Sequence, residues 1–177
     1  MAHHEIVIAG FGGQGIMSAG NLLAYAGMMD GKNVSWYPVY GPEKRGGTAA
    51  CHVIVSDDTV GSPILNSATA LLVMNTPSLD KFESWVKKEG FIISDSSITD
   101  KSTSRKDVIA YEVPATQMAS DMGNLAYANI IMLGKLIEAT GVISVENFEK
   151  ALKKVLPARK HHMIPEEIKA LEAGMKL

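Results

Sequence analysis

The sequence predicts an α/β protein, built as a three-layer α/β/α sandwich around a mostly parallel sheet. Short apolar segments rich in β-branched residues alternate with longer segments of helical periodicity, and this alternation is typical of strands joined by helices. The chain has 177 residues, of which 46% are hydrophobic, enough for one domain with a sizeable core. We therefore expect a single domain over residues 1–177, with a helical C-terminal tail from about residue 157.

Six apolar segments predict the strands. The first, Glu5–Ala9, is almost continuously apolar, as expected for a strand that is buried on both faces of a parallel sheet. The other predicted strands are NVSWYPVY from Asn33, TAACHVIVSD from Thr48, ALLVMN from Ala70, FIISD from Phe91 and VIAYEVP from Val108.

Capping residues and periodicity predict the helices. The first helix follows Gly15 and ends near Gly27. Thr76 is expected to cap a second helix, with Pro77 at its first position, which continues to Gly90. The remaining predicted helices are a run through Met118, the segment LAYANIIMLGKLIEATG from Leu125, a helix capped by Ser144 and ended by Pro157, and a last short helix opened by Pro165.

Charge and cysteine content exclude several functions. The formal net charge is −2 and the basic residues are scattered apart from Arg159–His162, so neither nucleic acid nor an acidic membrane surface is an expected partner. The single cysteine, Cys51, provides neither a disulfide nor the thiolates of a zinc site or an iron–sulfur cluster, and it indicates a reducing compartment. Because no segment resembles a signal peptide or a membrane span, we expect a cytoplasmic protein.

The loop between the first strand and the first helix is the first candidate site. Gly10, Gly12 and Gly15 fit the pattern G-x-G-x-x-G of dinucleotide-binding, Rossmann-like domains. Those domains carry an acidic residue at the end of the second strand, where this chain has Trp36–Tyr40; Asp30 comes before the strand. The missing acid argues against a dinucleotide.

The same loop has features that suit a different ligand. Gly12 and Gly13 are adjacent and Gln14 precedes the last glycine, which favours a tight turn with backbone N–H groups exposed at a helix N-terminus. Such a turn binds a phosphate or a carboxylate, or lets the backbone of a partner come close. The third interpretation is that the glycines serve only the close packing of helix and strand.

A second candidate site is the loop YGPEKRGGTA at Tyr40–Ala49. Pro42 fixes one backbone angle, Gly46 and Gly47 free two others, and the planar guanidinium of Arg45 suits a carboxylate or a phosphate. Because this loop follows a strand that is expected beside the first, we expect it at the same sheet edge as the glycine loop. A solvated turn without a function is the alternative.

Together the two loops resemble a known family. GFGGQG at Gly10–Gly15 followed by YGPEKRGG at Tyr40–Gly47 is similar to the gamma subunit of 2-oxoacid:ferredoxin oxidoreductases, the group that acts on pyruvate, 2-oxoglutarate or 2-oxoisovalerate. The resemblance covers nearly the whole chain and includes SPI at Ser62–Ile64, GNLAYANIIMLG at Gly123–Gly134 and IPEEIKALEAG at Ile164–Gly174. YGPE is more similar to the 2-oxoglutarate type, so 2-oxoglutarate is the expected substrate.

The resemblance implies one subunit of a larger enzyme. That enzyme converts a 2-oxoacid and coenzyme A (CoA) to an acyl-CoA and CO₂, and it passes the electrons to ferredoxin. Thiamine diphosphate lies between the alpha and beta subunits, and iron–sulfur clusters lie on the beta subunit or on a delta subunit. This chain is therefore expected to bind no cofactor alone and to contribute neither a catalytic residue nor a metal ligand. In isolation we expect it to form a homo-oligomer through its unpartnered surface.

By the same resemblance, the two loops form one surface that faces CoA and the alpha and beta subunits. The residues that match the family motifs are Gly10, Gly12, Gly13, Gln14, Gly15, Tyr40, Gly41, Pro42, Glu43, Arg45, Gly46 and Gly47. Arg45 is the expected anion contact, to a CoA phosphate or to an acid on a neighbouring subunit. Lys44 and Glu166 depart from the family pattern, which has Asn at the second of these positions.

Other residues have simpler expected roles. Cys51 lies in an alternating strand and is expected to be a buried thiol, with His52 on the opposite face as a hydrogen-bonded surface histidine. One of Trp36 and Tyr37 should be exposed as an interface anchor, because neighbouring strand residues face opposite ways. His161 and His162 are expected in a solvated basic segment, and Met118, Met122 and Met132 in helix packing.

Two alternative functions remain open at this level. A stand-alone nucleotide-binding module would bind NAD(P) or FMN as an isolated chain. A scaffold or nucleotide-sensing module would have no catalytic assembly at all. Equilibrium binding to NADH, FMN and CoA separates the first alternative from the subunit hypothesis.

Overall fold

The computed structural model describes residues 1–41 and 47–177. Within these residues a six-stranded sheet forms the centre of the molecule. The strands are β1 (His3–Phe11), β2 (Asn33–Tyr40), β3 (Thr48–Ser56), β4 (Ala68–Val73), β5 (Val86–Asp95) and β6 (Ile109–Val113). They lie in the order β2-β3-β1-β4-β5-β6.

In the part of the chain that the structure describes, two helices lie between strands, and the other four follow the last strand. The helices are α1 (Ile16–Met29), α2 (Thr76–Phe82), α3 (Ala115–Asp121), α4 (Ala128–Thr140), α5 (Val145–Val155) and α6 (Ile164–Met175). Turns of 3₁₀ helix cover Glu83–Trp85, Leu125–Tyr127 and Ala158–Met163. Among the helices of the described residues, none has both the length and the apolar character needed to cross a membrane.

The sheet is mixed. Strands β1, β4, β5 and β6 pair in parallel, whereas β3 runs antiparallel to both β1 and β2. The α/β class is confirmed, but the expectation that β2 lies beside β1 is wrong, because β3 separates them. β3 is buried from Ala49 to Ser56, which suits a central strand. β2 contains Pro38, whose missing N–H group is tolerated at a sheet edge.

The two faces of the sheet are covered unequally. One face packs against α1, α3, α4, α5 and α6, with Ile8 and Leu72 fully buried between the layers. The other face packs against α2 and the segment 57–67 through a smaller core that includes Leu71, Leu79 and Leu65. The molecule therefore has one thick helical layer and one thin layer.

Helix α2 is shorter than the sequence predicts. It ends at Phe82, and the residues expected to continue it to Gly90 form a 3₁₀ turn and the first part of β5. Val86 is buried in the thin layer and pairs with Ala68 of β4. Burial and strand pairing therefore outweigh the helical spacing of the exposed charged residues that follow Val86.

The capping side chains were predicted with mixed success. The carboxamide Oδ1 of Asn75, rather than a group of Thr76, accepts the N–H of Ser78 at 2.8 Å and caps α2. The prediction for α5 is confirmed, since Oγ of Ser144 accepts the N–H of Asn147 at 3.2 Å. Both caps satisfy N–H groups that a helix leaves without an internal partner.

Candidate functional site

The two loops predicted as sites meet at one edge of the sheet. The backbone N–H of Gly12, just after β1, donates to the carbonyl of Gly47, just before β3, at 3.1 Å. β2 ends at the same edge with Tyr40, followed by Gly41, because β1 and β2 both run antiparallel to β3. The remaining predicted site residues, Pro42, Glu43, Arg45 and Gly46, lie outside the described residues.

Gln14 holds the glycine loop in place. Its Oε1 accepts the N–H of Phe11 at 2.7 Å, and its Nε2 donates to the carbonyl of Met74 at 3.0 Å, beyond the end of β4. Nδ2 of Asn129 in α4 donates to the carbonyl of Gly15 at 3.1 Å. Gln14 stays a predicted ligand contact, and in this structure its polar atoms bind backbone groups. Asn129 was not predicted as a site residue, although it lies inside the family-like segment GNLAYANIIMLG.

The glycines of this loop serve two purposes. A side chain at Gly10 would meet Gln14 and, at 2.9 Å, Ile16, so this position serves packing. Gly15 adopts a left-handed backbone with φ of 75°, and a side chain there would meet Asn129. Gly13 also has positive φ, 93°, but a side chain there would enter open space. Packing therefore accounts for Gly10 and Gly15, while Gly12 and Gly13 leave the backbone open to a ligand or a partner.

The first turn of α1 faces this opening. No side chain caps the helix, whose N-cap residue is Gly15. The first backbone N–H groups of a helix have no partner inside it, and the helix dipole adds partial positive charge at this end. The arrangement therefore favours an anionic group beside Gly13 and Gly15.

A cleft of about 690 Å³ extends from the glycine loop along α1, α4, α5 and α6. Apolar side chains form most of its walls, among them Leu22, Met74, Leu125, Leu152 and Val155. Polar groups line it at Ser18, Thr116 and Asn129, and the ionisable groups that line it are Lys160 and Glu167.

Glu167 is the least expected residue of the cleft. It is 9% exposed, and it makes no hydrogen bond or ion pair with any other described residue. Burial raises the pKa of its carboxyl, and the nearby charge of Lys160 offsets this rise only in part. No signal in the sequence distinguished Glu167 from its exposed neighbour Glu166, because both belong to the same charged turn of α6.

Aromatic side chains flank the second loop on the edge strand β2. Trp36 and Tyr37 were expected to face opposite ways with one exposed; both are about one-third exposed, at 36% and 39%. The edge position explains this, because a strand with one neighbour shields neither face fully. Tyr40 is 72% exposed beside the loop.

The thiol and the imidazoles do not line the cleft. Cys51 is fully buried, and burial raises the pKa of its thiol to about 12, which confirms the expected inert thiol. His52 is buried rather than on the surface, since the thin layer covers it; its Nδ1 accepts the N–H of Leu65 at 3.1 Å. His161 and His162 are exposed as expected.

Within residues 1–41 and 47–177, no group of three His, Cys, Asp or Glu side chains is placed to hold a metal ion.

Comparison with known proteins identifies the family. Ketoisovalerate oxidoreductase subunit VorA of Methanothermobacter thermautotrophicus is 43% identical over 172 residues, which make up 96% of this chain but only 35% of VorA. The chain thus spans about a third of that relative's length. 2-oxoglutarate synthase subunit KorC of Methanocaldococcus jannaschii is 36% identical over 157 residues, 86% of this chain and 83% of KorC.

A solved structure has the same fold over the whole chain. The crystal structure of the gamma subunit of a keto/oxoacid ferredoxin oxidoreductase from Geobacter sulfurreducens superposes with a TM-score of 0.85 and 30% identity, covering 99% of this chain and 96% of that one. The family model for pyruvate ferredoxin/flavodoxin oxidoreductase matches residues 5–177. The chain therefore belongs to the pyruvate ferredoxin/flavodoxin oxidoreductase family.

Proposed function

We propose that this chain is the gamma-type subunit of a cytoplasmic 2-oxoacid:ferredoxin oxidoreductase and that residues 1–177 form one domain of that complex. The observation that carries the proposal is the family match over residues 5–177, and the similarity to KorC, which extends over 83% of that subunit, supports it. In this proposal the complex oxidatively decarboxylates a 2-oxoacid with CoA and reduces ferredoxin. Because the chain has one cysteine, the iron–sulfur clusters in this proposal lie on its partners, on the beta subunit or on a delta subunit, which join it and the alpha subunit.

We infer that the substrate is 2-oxoglutarate. The motif YGPE and the 36% identity to KorC support this choice. Ketoisovalerate is the second candidate, because VorA has the higher identity, 43% against 36%. The two acids differ in their side chains, a carboxylate in one and a branched alkyl group in the other, so a direct assay separates them.

The role proposed for this chain is to bind part of CoA and to hold it against its partners. The open backbone at Gly12 and Gly13 and the uncapped first turn of α1 support an anion site, and the phosphates of CoA fit it chemically. Thiamine diphosphate, when bound to the partner subunits, supplies the decarboxylation chemistry. The chain's own groups bind and orient CoA.

The first experiment isolates the complex. The tagged chain is purified without oxygen from its native host, the mass of the assembly is measured, and CoA-dependent viologen reduction is assayed with 2-oxoglutarate, ketoisovalerate and pyruvate. We expect larger thiamine- and cluster-bearing chains to co-purify and 2-oxoglutarate to be the preferred substrate. Preference for ketoisovalerate would select the second candidate. A chain recovered alone that binds NADH or FMN saturably would instead establish a stand-alone nucleotide-binding module.

Arg45 provides the mutational test of the same proposal. We expect Arg45→Ala to raise the KM for CoA by about tenfold or to weaken assembly, because a bidentate contact between guanidinium and phosphate or carboxylate is lost. Arg159→Ala, a change in the exposed basic segment, is the control and should alter neither quantity. If Arg45→Ala leaves both unchanged, the loops do not face CoA or a partner as proposed.

A further inference from the structure

Asn129 joins helix α4 to the glycine loop. Its Nδ2 donates to the carbonyl of Gly15 at 3.1 Å, and it reaches the carbonyl of Gln14 at 3.5 Å. A side chain at Gly15 would meet this amide group, so Asn129 lies directly against the backbone of the loop. One side chain therefore links two segments that are 114 residues apart in the sequence.

Helix α4 is a firm support for this contact. Ile130 and Ile131, which follow Asn129, are 6% and 0% exposed, and Leu133 and Leu136 are fully buried in the thick layer. A polar side chain that projects from a packed helix is held more precisely than one on a loop. The position of the glycine loop is thereby set by the core of the thick layer.

The carbonyls held by Asn129 determine where two N–H groups point. A peptide bond is planar, and in the trans form, which all described peptides adopt, its C=O and N–H point in opposite directions. The carbonyls of Gln14 and Gly15 point towards Asn129. The N–H groups of the same two peptide units, those of Gly15 and Ile16, therefore point away from α4. Neither N–H group has a hydrogen-bond acceptor within residues 1–41 and 47–177, so both are available to a ligand.

We propose that Asn129 is a positioning residue for the anion site of the proposed function, on which this inference rests. It fixes the peptide units on either side of Gly15 so that their N–H groups face a phosphate of CoA. Donors that are already oriented lose no freedom when the ligand binds, which raises the affinity. In this assignment Asn129 acts only through the backbone of the loop and does not touch the ligand.

The first test titrates the full chain with sulfate, a tetrahedral dianion that stands in for phosphate. Asn129→Leu keeps the approximate size of the side chain but donates no hydrogen bond, so we expect sulfate binding at neutral pH to weaken about tenfold. Asn129→Asp should weaken it further at this pH, because its carboxylate only accepts hydrogen bonds and adds a negative charge near the anion. Asn66→Asp, which adds the same charge at an exposed position of the thin layer, is the control and should bind sulfate as the parent chain does.

The pH profile of Asn129→Asp separates positioning from charge. When the introduced carboxyl is protonated at low pH, it regains an O–H donor and loses its charge, while sulfate keeps both of its charges. Loss of the charge alone would return the sulfate affinity to the level of Asn129→Leu. We expect the affinity to rise beyond that level, towards that of the parent chain at the same pH, because the donor is restored.

The kinetics of the assembled enzyme provide a second readout. We expect Asn129→Leu to raise the KM for CoA about tenfold and to leave kcat unchanged, because a residue that orients the binding loop does not contact the reacting atoms. A variant that merely folds less well would lower kcat in proportion to the loss of active enzyme and would keep the parent KM. This comparison keeps the inference testable if a substitution lowers stability.

The assignment is overturned by sulfate binding that is unchanged in both variants, by a pH profile of Asn129→Asp that stops at the level of Asn129→Leu, or by a parent chain that binds no sulfate. The proposed function fails separately, if the chain joins no complex and supports no oxidation of 2-oxoacids. An active complex in which Asn129→Leu changes neither sulfate binding nor the KM for CoA would retain the proposed function and reject the positioning role.

Discussion

At the scale of single residues, Gln14 shows how a motif residue can act through structure. Both polar ends of its carboxamide bind backbone groups, at Phe11 and Met74, so the side chain joins the glycine loop to the end of β4. The loop conformation that opens Gly12 and Gly13 therefore depends on this side chain. Gln14 therefore positions the loop, and its contact with a ligand stays a prediction.

Replacing Gln14 should lower stability. Gln14→Leu keeps the approximate size of the side chain but removes both hydrogen bonds, so we expect the free energy of unfolding to fall by about 1–3 kcal/mol. Urea denaturation measures the change. Gln117→Leu is the control, because Gln117 is exposed and its side chain donates to Asp121 of the same helix. This substitution should change stability by less than about 0.5 kcal/mol. Equal effects of the two changes would contradict the structural role of Gln14.

At the scale of elements, helices α4 and α6 cross with their backbones in contact. A side chain at Gly134 would meet the carbonyl of Leu171, and one at Gly174 would meet the carbonyl of Ile131. These glycines end the two family-like segments GNLAYANIIMLG and IPEEIKALEAG, so part of the sequence resemblance reflects this crossing. The contact fixes α6 against α4 and with it the position of Glu167 in the cleft.

The crossing predicts a large effect of a small substitution. In Gly134→Ala the added methyl group strikes a backbone carbonyl, which cannot rotate away, so α4 and α6 must separate. We expect a net loss of about 2 kcal/mol in the free energy of unfolding, although alanine alone would favour the helix by about 1 kcal/mol. Gly61→Ala is the matched control, because a side chain there enters open space. A Gly134→Ala variant as stable as the Gly61→Ala variant would show that the helices do not touch.

At the scale of the whole molecule, the thick and the thin layer each bury an ionisable group. Glu167 lies in the thick layer, and burial raises the pKa of its carboxyl from an ordinary value of 4.5. His52 lies in the thin layer, and burial lowers the pKa of its imidazole. Neither group gains an ion pair among the described residues, so both couple the global stability to pH.

Glu167 sets the sign of one pH dependence. Above pH 4.5 the unfolded chain releases this proton while the folded chain still holds it, so the stability contributed by Glu167 falls as pH rises through the window between the two pKa values. Glu167→Gln removes this dependence. We expect the Tm of the variant, relative to the Tm of the parent chain, to increase as the pH rises from about 5 to 7. The Tm of the control variant Glu172→Gln should change with pH as the Tm of the parent chain does. A Tm difference between Glu167→Gln and the parent chain that stays constant with pH would contradict the burial of the carboxyl.

The sequence by itself determined the α/β class, the inert buried thiol of Cys51, the cap at Ser144 and the family, because these follow from periodicity, alternation and motifs among residues close in the chain. The approach of Gly12 to Gly47 was also foreseeable, although from an incorrect placement of β2. Trp36 and Tyr37 stay predicted interface anchors.

Only the tertiary structure decided the strand order, the early end of α2 and the cleft with Asn129 and Glu167. Each of these depends on contacts between segments far apart in sequence. β3 lies between β1 and β2, and Val86 pairs with a residue of β4 in the sheet. Two glycines allow the backbones of α4 and α6 to come into contact. Local patterns carry no information about such contacts, because burial of a side chain is decided by whatever packs over it.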